Sequence, residues 1–213
     1  MAKIIPGILT ADEKEYQKRL LAAEHVSDLI QIDVVDGKFA NNLTVGTEVI
    51  KKYQTSSMLE IQLMVVCPQN YIDELARLDY VLRIIFPFEV QGDLNEIIYH
   101  VKNHGKQVGL SINPETPVKA LLHFSDDIDL LSIYAGKPGF SCQKFQESTY
   151  GRIKEAKHLL ANLPVEVDIG VNETNIKKIV ACGADFLVAT STLNNSPDYF
   201  LTYEKLAKLA SKS

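Results

Sequence analysis

Two short runs carry a carboxylate inside an apolar strand. One is "IQIDVV", Ile30 to Val35, with Asp33; the other is "VEVDIGV", Val165 to Val171, with Asp168. A buried carboxylate is costly unless it is paired or liganded. Two that face each other without a cation cannot both stay ionised comfortably. One pKa rises, so one group serves as acid while the other serves as base. Further polar residues sit in apolar runs of the same kind: Gln31 two places before Asp33, Gln62 in "LEIQLMV", and Glu166 two places before Asp168.

Three turns add a second chemistry. "PGFSCQ", "DIGVN" and "ATSTL" are short, small-residue turns that open helices. Turns of this kind present backbone N–H groups to anions. Any one alone reads as an ordinary connection. Three in succession, one of them beside Asp168, favour a small phosphorylated ligand.

The elements that must hold these residues alternate along the chain. Strand-like runs are expected at Ile4–Leu9, Leu29–Val34, Leu59–Val65, Tyr80–Phe86, Gln107–Ile112, Ile128–Ile133, Val165–Asp168 and Phe186–Ala189. Helical segments are expected to begin near Asp12, Gly46, Pro68, Asp93, Pro117, Gln146, Asn172 and Pro197. Eight alternating units with no linker predict an α/β fold with a parallel sheet covered by helices, as one domain over 1–213. No GxGxxG follows the first strand, which disfavours an open dinucleotide-binding sheet and favours a closed (β/α)8 TIM barrel. In such a barrel the chemistry gathers where strands end, and Asp33 and Asp168 would face each other over the mouth.

Bulk properties exclude several classes. The 213 residues carry 22 Lys and Arg against 27 Asp and Glu, a formal net charge of −5, which argues against a nucleic-acid partner. The opening "MAKIIPGILT" has too short an apolar run for a signal peptide, and no stretch has the length of a membrane span. Cys67, Cys142 and Cys182 show no CxxC spacing and read as reduced thiols of a cytoplasmic protein without a zinc site.

The order and spacing of "IIPGILTAD", "IDVVDGKFANNLTVG", "QLMVVCPQNYI", "LSINPETPVKAL", "PGFSCQKF", "VEVDIGVN" and "CGADFLVATS" resemble the ribulose-phosphate 3-epimerase family almost end to end. The resemblance implies a carbohydrate-metabolism isomerase that inverts C3 of ribulose 5-phosphate or of allulose 6-phosphate. One aspartate removes the C3 proton and a second, on the opposite face, returns one. A divalent metal stabilises the enediolate between. The catalytic pair maps onto Asp33 and Asp168. Phosphate contacts map onto Gly139, Phe140, Ser141 and Cys142, onto Ile169 and Gly170, and onto Thr190 and Ser191. A homo-oligomer is implied by the family alone.

The chain departs from that pattern at the metal site. The two family histidines are Gln31 and Gln62 here, and His25, His100, His104, His123 and His158 fall in helical segments or their flanks. Imidazole nitrogen suits zinc or iron, whereas an amide oxygen is a harder and weaker ligand for them. The expected cofactor is therefore none, the family metal being lost or weakly held. Elsewhere Gly7 stands for a serine, Ser141-Cys142 for paired glycines, Ile169 for a glycine and Thr190 for a glycine. Two readings follow: an epimerase working without its metal, with Gln31 and Gln62 donating N–H to the enediolate and Lys137 adding a cation, or a barrel that binds a sugar phosphate without turning it over. Aldol cleavage or decarboxylation is disfavoured, since "QLMVVCP" lacks the Asp-x-Lys-x-x-Asp run of those relatives. The plainer assignments are Gln31 and Gln62 as a polar network, Met64 as core filler, Lys137 as a solvated loop residue, Cys142 as an inert turn residue and Asp36 as a turn anchor.

Overall fold

The structure, a computed structural model, describes residues 1–211. Eight parallel strands close into a barrel in sequence order: β1 Lys3–Ile8, β2 Leu29–Val35, β3 Met58–Met64, β4 Val81–Pro87, β5 Gln107–Ile112, β6 Leu130–Tyr134, β7 Val165–Asp168 and β8 Phe186–Ala189, with β8 pairing back onto β1. Around them lie α1 Glu13–Glu24, α2 Thr47–Lys52, α3 Gln69–Leu75, α4 Leu94–Asn103, α5 Thr149–Leu159, α6 Ile176–Ala181, α7 Ser191–Asn194 and α8 Tyr199–Ser211. No helix among the described residues is long and apolar enough to cross a membrane.

The strands lack simple alternation because both faces are buried. Outward-facing residues such as Ile30, Ile32, Ile61, Leu63, Val165 and Val167 pack into the main apolar core shared with the helices. Helix starts follow local chemistry. Asp12 caps α1 by accepting from the Glu15 N–H at 2.8 Å, and Asp93 caps α4 through Asn95. Pro68 stands immediately before α3 and needs no N–H there.

Three elements differ from the sequence expectation. The fifth connection, expected to be a helix from Pro117, is a 3₁₀ segment, Val118–Phe124. The short α7 directly after β8 was not anticipated, because its four residues cannot carry a helical period. Asn172 opens no helix itself. Its side chain accepts from the Thr174 N–H, and α6 starts at Ile176.

The barrel's inner face is polar. In β3 and β4 the buried Glu60 and Arg83 form an ion pair at 3.0 Å, and Arg83 also donates to Gln107 Oε1 at 3.0 and 3.1 Å. Glu166 of β7 is fully buried, and neither carboxyl oxygen has a hydrogen-bond partner among the described residues. Burial first, then mutual repulsion, holds Glu60 well above the usual carboxylate range; Glu166 is raised by burial. Arg83 pairs directly with Glu60 and reaches Glu166 only through its charge, so burial of the second acid is partly offset. Replacing Arg83 by Met leaves buried charge without its partner and should lower unfolding free energy by about 3 kcal/mol. Adding Glu60→Gln should recover part of that loss, as read from urea unfolding at pH 7.

Candidate active site

β2 and β7 deliver Asp33 and Asp168 to the mouth, where both are nearly fully buried. They do not stand alone. The Gln31 amide nitrogen donates to Asp33 Oδ1 at 2.9 Å and to Asp168 Oδ2 at 3.3 Å. In this orientation the donor end of the amide meets carboxyl oxygens that accept. Gln31 and Asp33 project to the same face because strand side chains repeat with period two. The Ile169 backbone N–H donates to Asp168 Oδ1 at 2.6 Å.

Both carboxyls are pushed toward the neutral form. Burial, and then the facing Asp168 carboxylate, hold Asp33 well above its ordinary range. Burial and then Glu166, two residues below on the same strand, raise Asp168 to about 7, against the hydrogen bonds from Ile169 and Gln31. Both carboxyls of the facing pair are thus shifted toward the protonated form, for the same first cause.

Gln62 lies in a different network. Its amide nitrogen donates to Ser111 Oγ at 3.2 Å, and Ser111 donates to the Tyr134 hydroxyl at 3.1 Å. Ser111 and Tyr134 escaped the sequence reading. The signal was available as polar groups at inward positions of "LSI" and "SIY", but nothing in one strand marks its inner face.

Above the pair is a narrow cleft. Asp33, Asp168, Gly139, Phe140, Ser141, Cys142, Ile169, Gly170, Thr190 and Ser191, all singled out in the sequence, line it. Leu9, Met64, Val171 and Val188 complete the wall and were not singled out for it. Met64 is buried like a core residue yet faces the cleft, in a small apolar group with Val35, Ala40 and Tyr134 that Phe39, Phe140 and Ile169 cover. Gln31 and Gln62 lie beneath, outside the lining. Lys137 is an exposed rim residue whose ammonium sits 5.9 Å from the Phe140 ring centroid, away from the carboxyl pair. Asp36 accepts from the Lys38, Phe39 and Val66 N–H groups and so holds the β2 turn.

One of the replaced glycines sits in a tight partnership. Ile169 has φ +78°, a left-handed backbone that β-branched residues rarely adopt. A Cβ on Gly136 would lie 2.8 Å from Ile169 Cγ2, so Gly136 makes room for it. Such strain costs about 1–3 kcal/mol and persists only where the surroundings impose it.

The divalent ion implied by the resemblance does not fit these residues. An N–H of Gln31 occupies the bridging position between the carboxylates, and the Gln62 amide is turned to Ser111. None of the five histidines is on a barrel strand, and the described residues hold no cluster of three or more His, Cys, Asp or Glu arranged for a metal.

Comparison with known proteins agrees with the barrel. Residues 3–194 match the model of the ribulose-phosphate 3 epimerase family. The ribulose-phosphate 3-epimerase of Bacillus subtilis (strain 168) is 33% identical over 206 residues, 93% of this chain and 94% of that protein. Among solved structures, KGPDC from Streptococcus mutans superposes with a TM-score of 0.78 at 8% identity, over 99% of this chain and 98% of that one. The 3-hexulose-6-phosphate synthase of Salmonella typhimurium gives 0.72 at 15% identity, over 98% of each chain. Both are likenesses of fold. With the family model spanning nearly the whole chain, and a relative at one-third identity along nearly its full length, the protein belongs to the ribulose-phosphate 3-epimerase family of isomerases.

Proposed function

We propose that the protein is a sugar-phosphate 3-epimerase that inverts C3 of ribulose 5-phosphate or allulose 6-phosphate without a divalent metal. The observation that carries this reading is the Gln31 amide lying between two buried carboxyls under a cleft with phosphate-type turns. Asp168, with a pKa near 7, is the base for the C3 proton. Asp33, raised by burial and by the facing carboxylate, supplies a proton to the opposite face. In the reverse direction the two exchange roles. The C2 oxygen gathers negative charge as the proton leaves, and a Gln31 N–H reaches it only by leaving one of the two carboxyls, since both of its N–H groups are spent on them at rest. The turns Gly139–Cys142 and Ile169–Gly170, with Ser191 and the backbone at Thr190, are assigned to the phosphate.

A neutral amide stabilises an oxyanion less than a divalent cation does, so turnover is slow for this chemistry. The second reading, a barrel that binds a sugar phosphate without turnover, is favoured by one feature. Ile169 thickens the cleft wall at the cost of a left-handed backbone.

Proton NMR in D₂O with each sugar phosphate decides between them. The C3 proton signal should disappear, and the loss should survive EDTA. Asp33→Asn and Asp168→Asn should each slow it by about 10²–10⁴-fold. Loss of exchange with EDTA would contradict the metal-free reading. No exchange with either sugar over hours at high protein concentration would favour the binder.

Stability supplies an independent check. The folded pKa of Asp168, about 7, lies above its ordinary value of 3.8. Its contribution is thus fully present below pH 4 and is lost as pH rises through 7, with a slope of up to about 1.4 kcal/mol per pH unit. Asp168→Asn should flatten that decline in urea titrations between pH 4 and 8 and leave the variant the more stable form at pH 8.

A further inference from the structure

We propose that the Thr190 hydroxyl is a specificity-determining donor to an oxygen of the sugar itself, beside the reacting carbon, and not to its phosphate. This rests on the ketose-phosphate reading above and refines it.

The observation is a steric exchange across the β1–β8 seam. A Cβ built on Gly7 would lie 2.2 Å from Thr190 Oγ1 and 3.0 Å from Val188 Cγ1. The hydroxyl of residue 190 therefore fills the space that a side chain at residue 7 would take. Pro6 is in register with Ala189, and Gly7 with Gln31. Gly7 and Thr190 thus share the inner face with Gln31, whose amide holds both carboxyls.

The direction of the hydroxyl separates sugar from phosphate. β1 lies between β8 and β2, so a group leaning from β8 over Gly7 leans toward Asp33. The anion-type turns Gly139–Cys142 and Gly170 follow β6 and β7, on the other side of β8. The remaining side chains lining this seam, Leu9 and Val188, are apolar. Thr190 spends its backbone carbonyl on Asn194, through both the main-chain N–H and Nδ2. Its Oγ1 has no partner among the described residues, and the residue lines the cleft. Thr190 Oγ1 is the hydroxyl that leans over Gly7 toward the acid/base pair, with Ser191 next along the wall, and a hydroxyl so placed recognises an oxygen of the bound carbon chain. Residue 7 cannot supply it while Thr190 is present.

The test is calorimetric binding with two probes, ribulose 5-phosphate and inorganic phosphate, each checked against thermal melting. Thr190→Val keeps the shape and removes the hydroxyl. It should weaken ribulose 5-phosphate by about tenfold and leave inorganic phosphate unchanged, whereas Thr190→Ser should stay close to the parent. Gly7→Ser alone should lower the melting temperature through the overlap. Gly7→Ser with Thr190→Gly should relieve it and return part of the sugar-phosphate affinity from the neighbouring strand. Equal ribulose 5-phosphate affinity for Thr190→Val and the parent would overturn the inference, as would an equal loss for both probes, which assigns the hydroxyl to the phosphate. A parent that binds inorganic phosphate but not ribulose 5-phosphate or allulose 6-phosphate overturns the epimerase reading and this inference with it.

Discussion

A single amide, Gln31 Nε2, bridges two buried carboxyls, and the inner face of the barrel is arranged around that contact. An amide offers N–H donors but no net charge. It can orient Asp33 and Asp168 but cannot neutralise them, so the pair stays near neutrality by holding a proton. The charge below strengthens this. Glu166 raises Asp168, while Arg83 is committed to Glu60 and Gln107 deeper in the barrel. The arrangement keeps one acid loaded and one base available in the same cleft. That is the state which proton removal on one face and delivery on the other requires.

The wall above the pair is built by exchanges between neighbours rather than by isolated substitutions. Thr190 stands over Gly7, Ile169 leans on Gly136, and Ala40 sits 2.5 Å from where a Cβ on Gly139 would be. In each case a bulkier residue is accommodated by a glycine on another segment. Ile169 also donates its N–H to Asp168, so the residue that narrows the cleft also favours the ionised base. Departures from a family pattern, taken singly, read as damage to a phosphate site. In the folded chain they are coupled changes of shape.

Much of this was legible before folding. The eight strands follow from apolar runs, and the carboxylates of β2 and β7 stood out because charge in such a run is expensive. The cleft residues were accessible through strand-end turns and the family resemblance. Other features were not. Glu60 and Arg83 sit in strands whose sequences do not say which face turns inward, and each looks like an ordinary surface charge until the other is seen 3.0 Å away. The Gln62–Ser111–Tyr134 chain joins three strands and has no local signature. The 3₁₀ segment and α7 are too short for a helical period to declare itself. The Gly7–Thr190 partnership spans almost the entire chain, and only closure of β8 onto β1 creates it.

Energetics favour an enzyme over a passive binder. A barrel that only held a phosphate would need the turns after β6, β7 and β8, and would gain from having Asn in place of Asp at the mouth, because protonatable groups raised this far cost stability at neutral pH. Instead the chain keeps both carboxyls and spends an amide, the Ile169 N–H and an underlying Glu166 on tuning them. The two amide oxygens left without partners, Gln31 Oε1 and Gln62 Oε1, are a further buried cost of holding the N–H groups where they are. Costs of this kind gather where chemistry is done, since structure alone would select apolar or neutral replacements. On the reading proposed above, the polar mouth of this barrel is what proton transfer next to a carbonyl asks for.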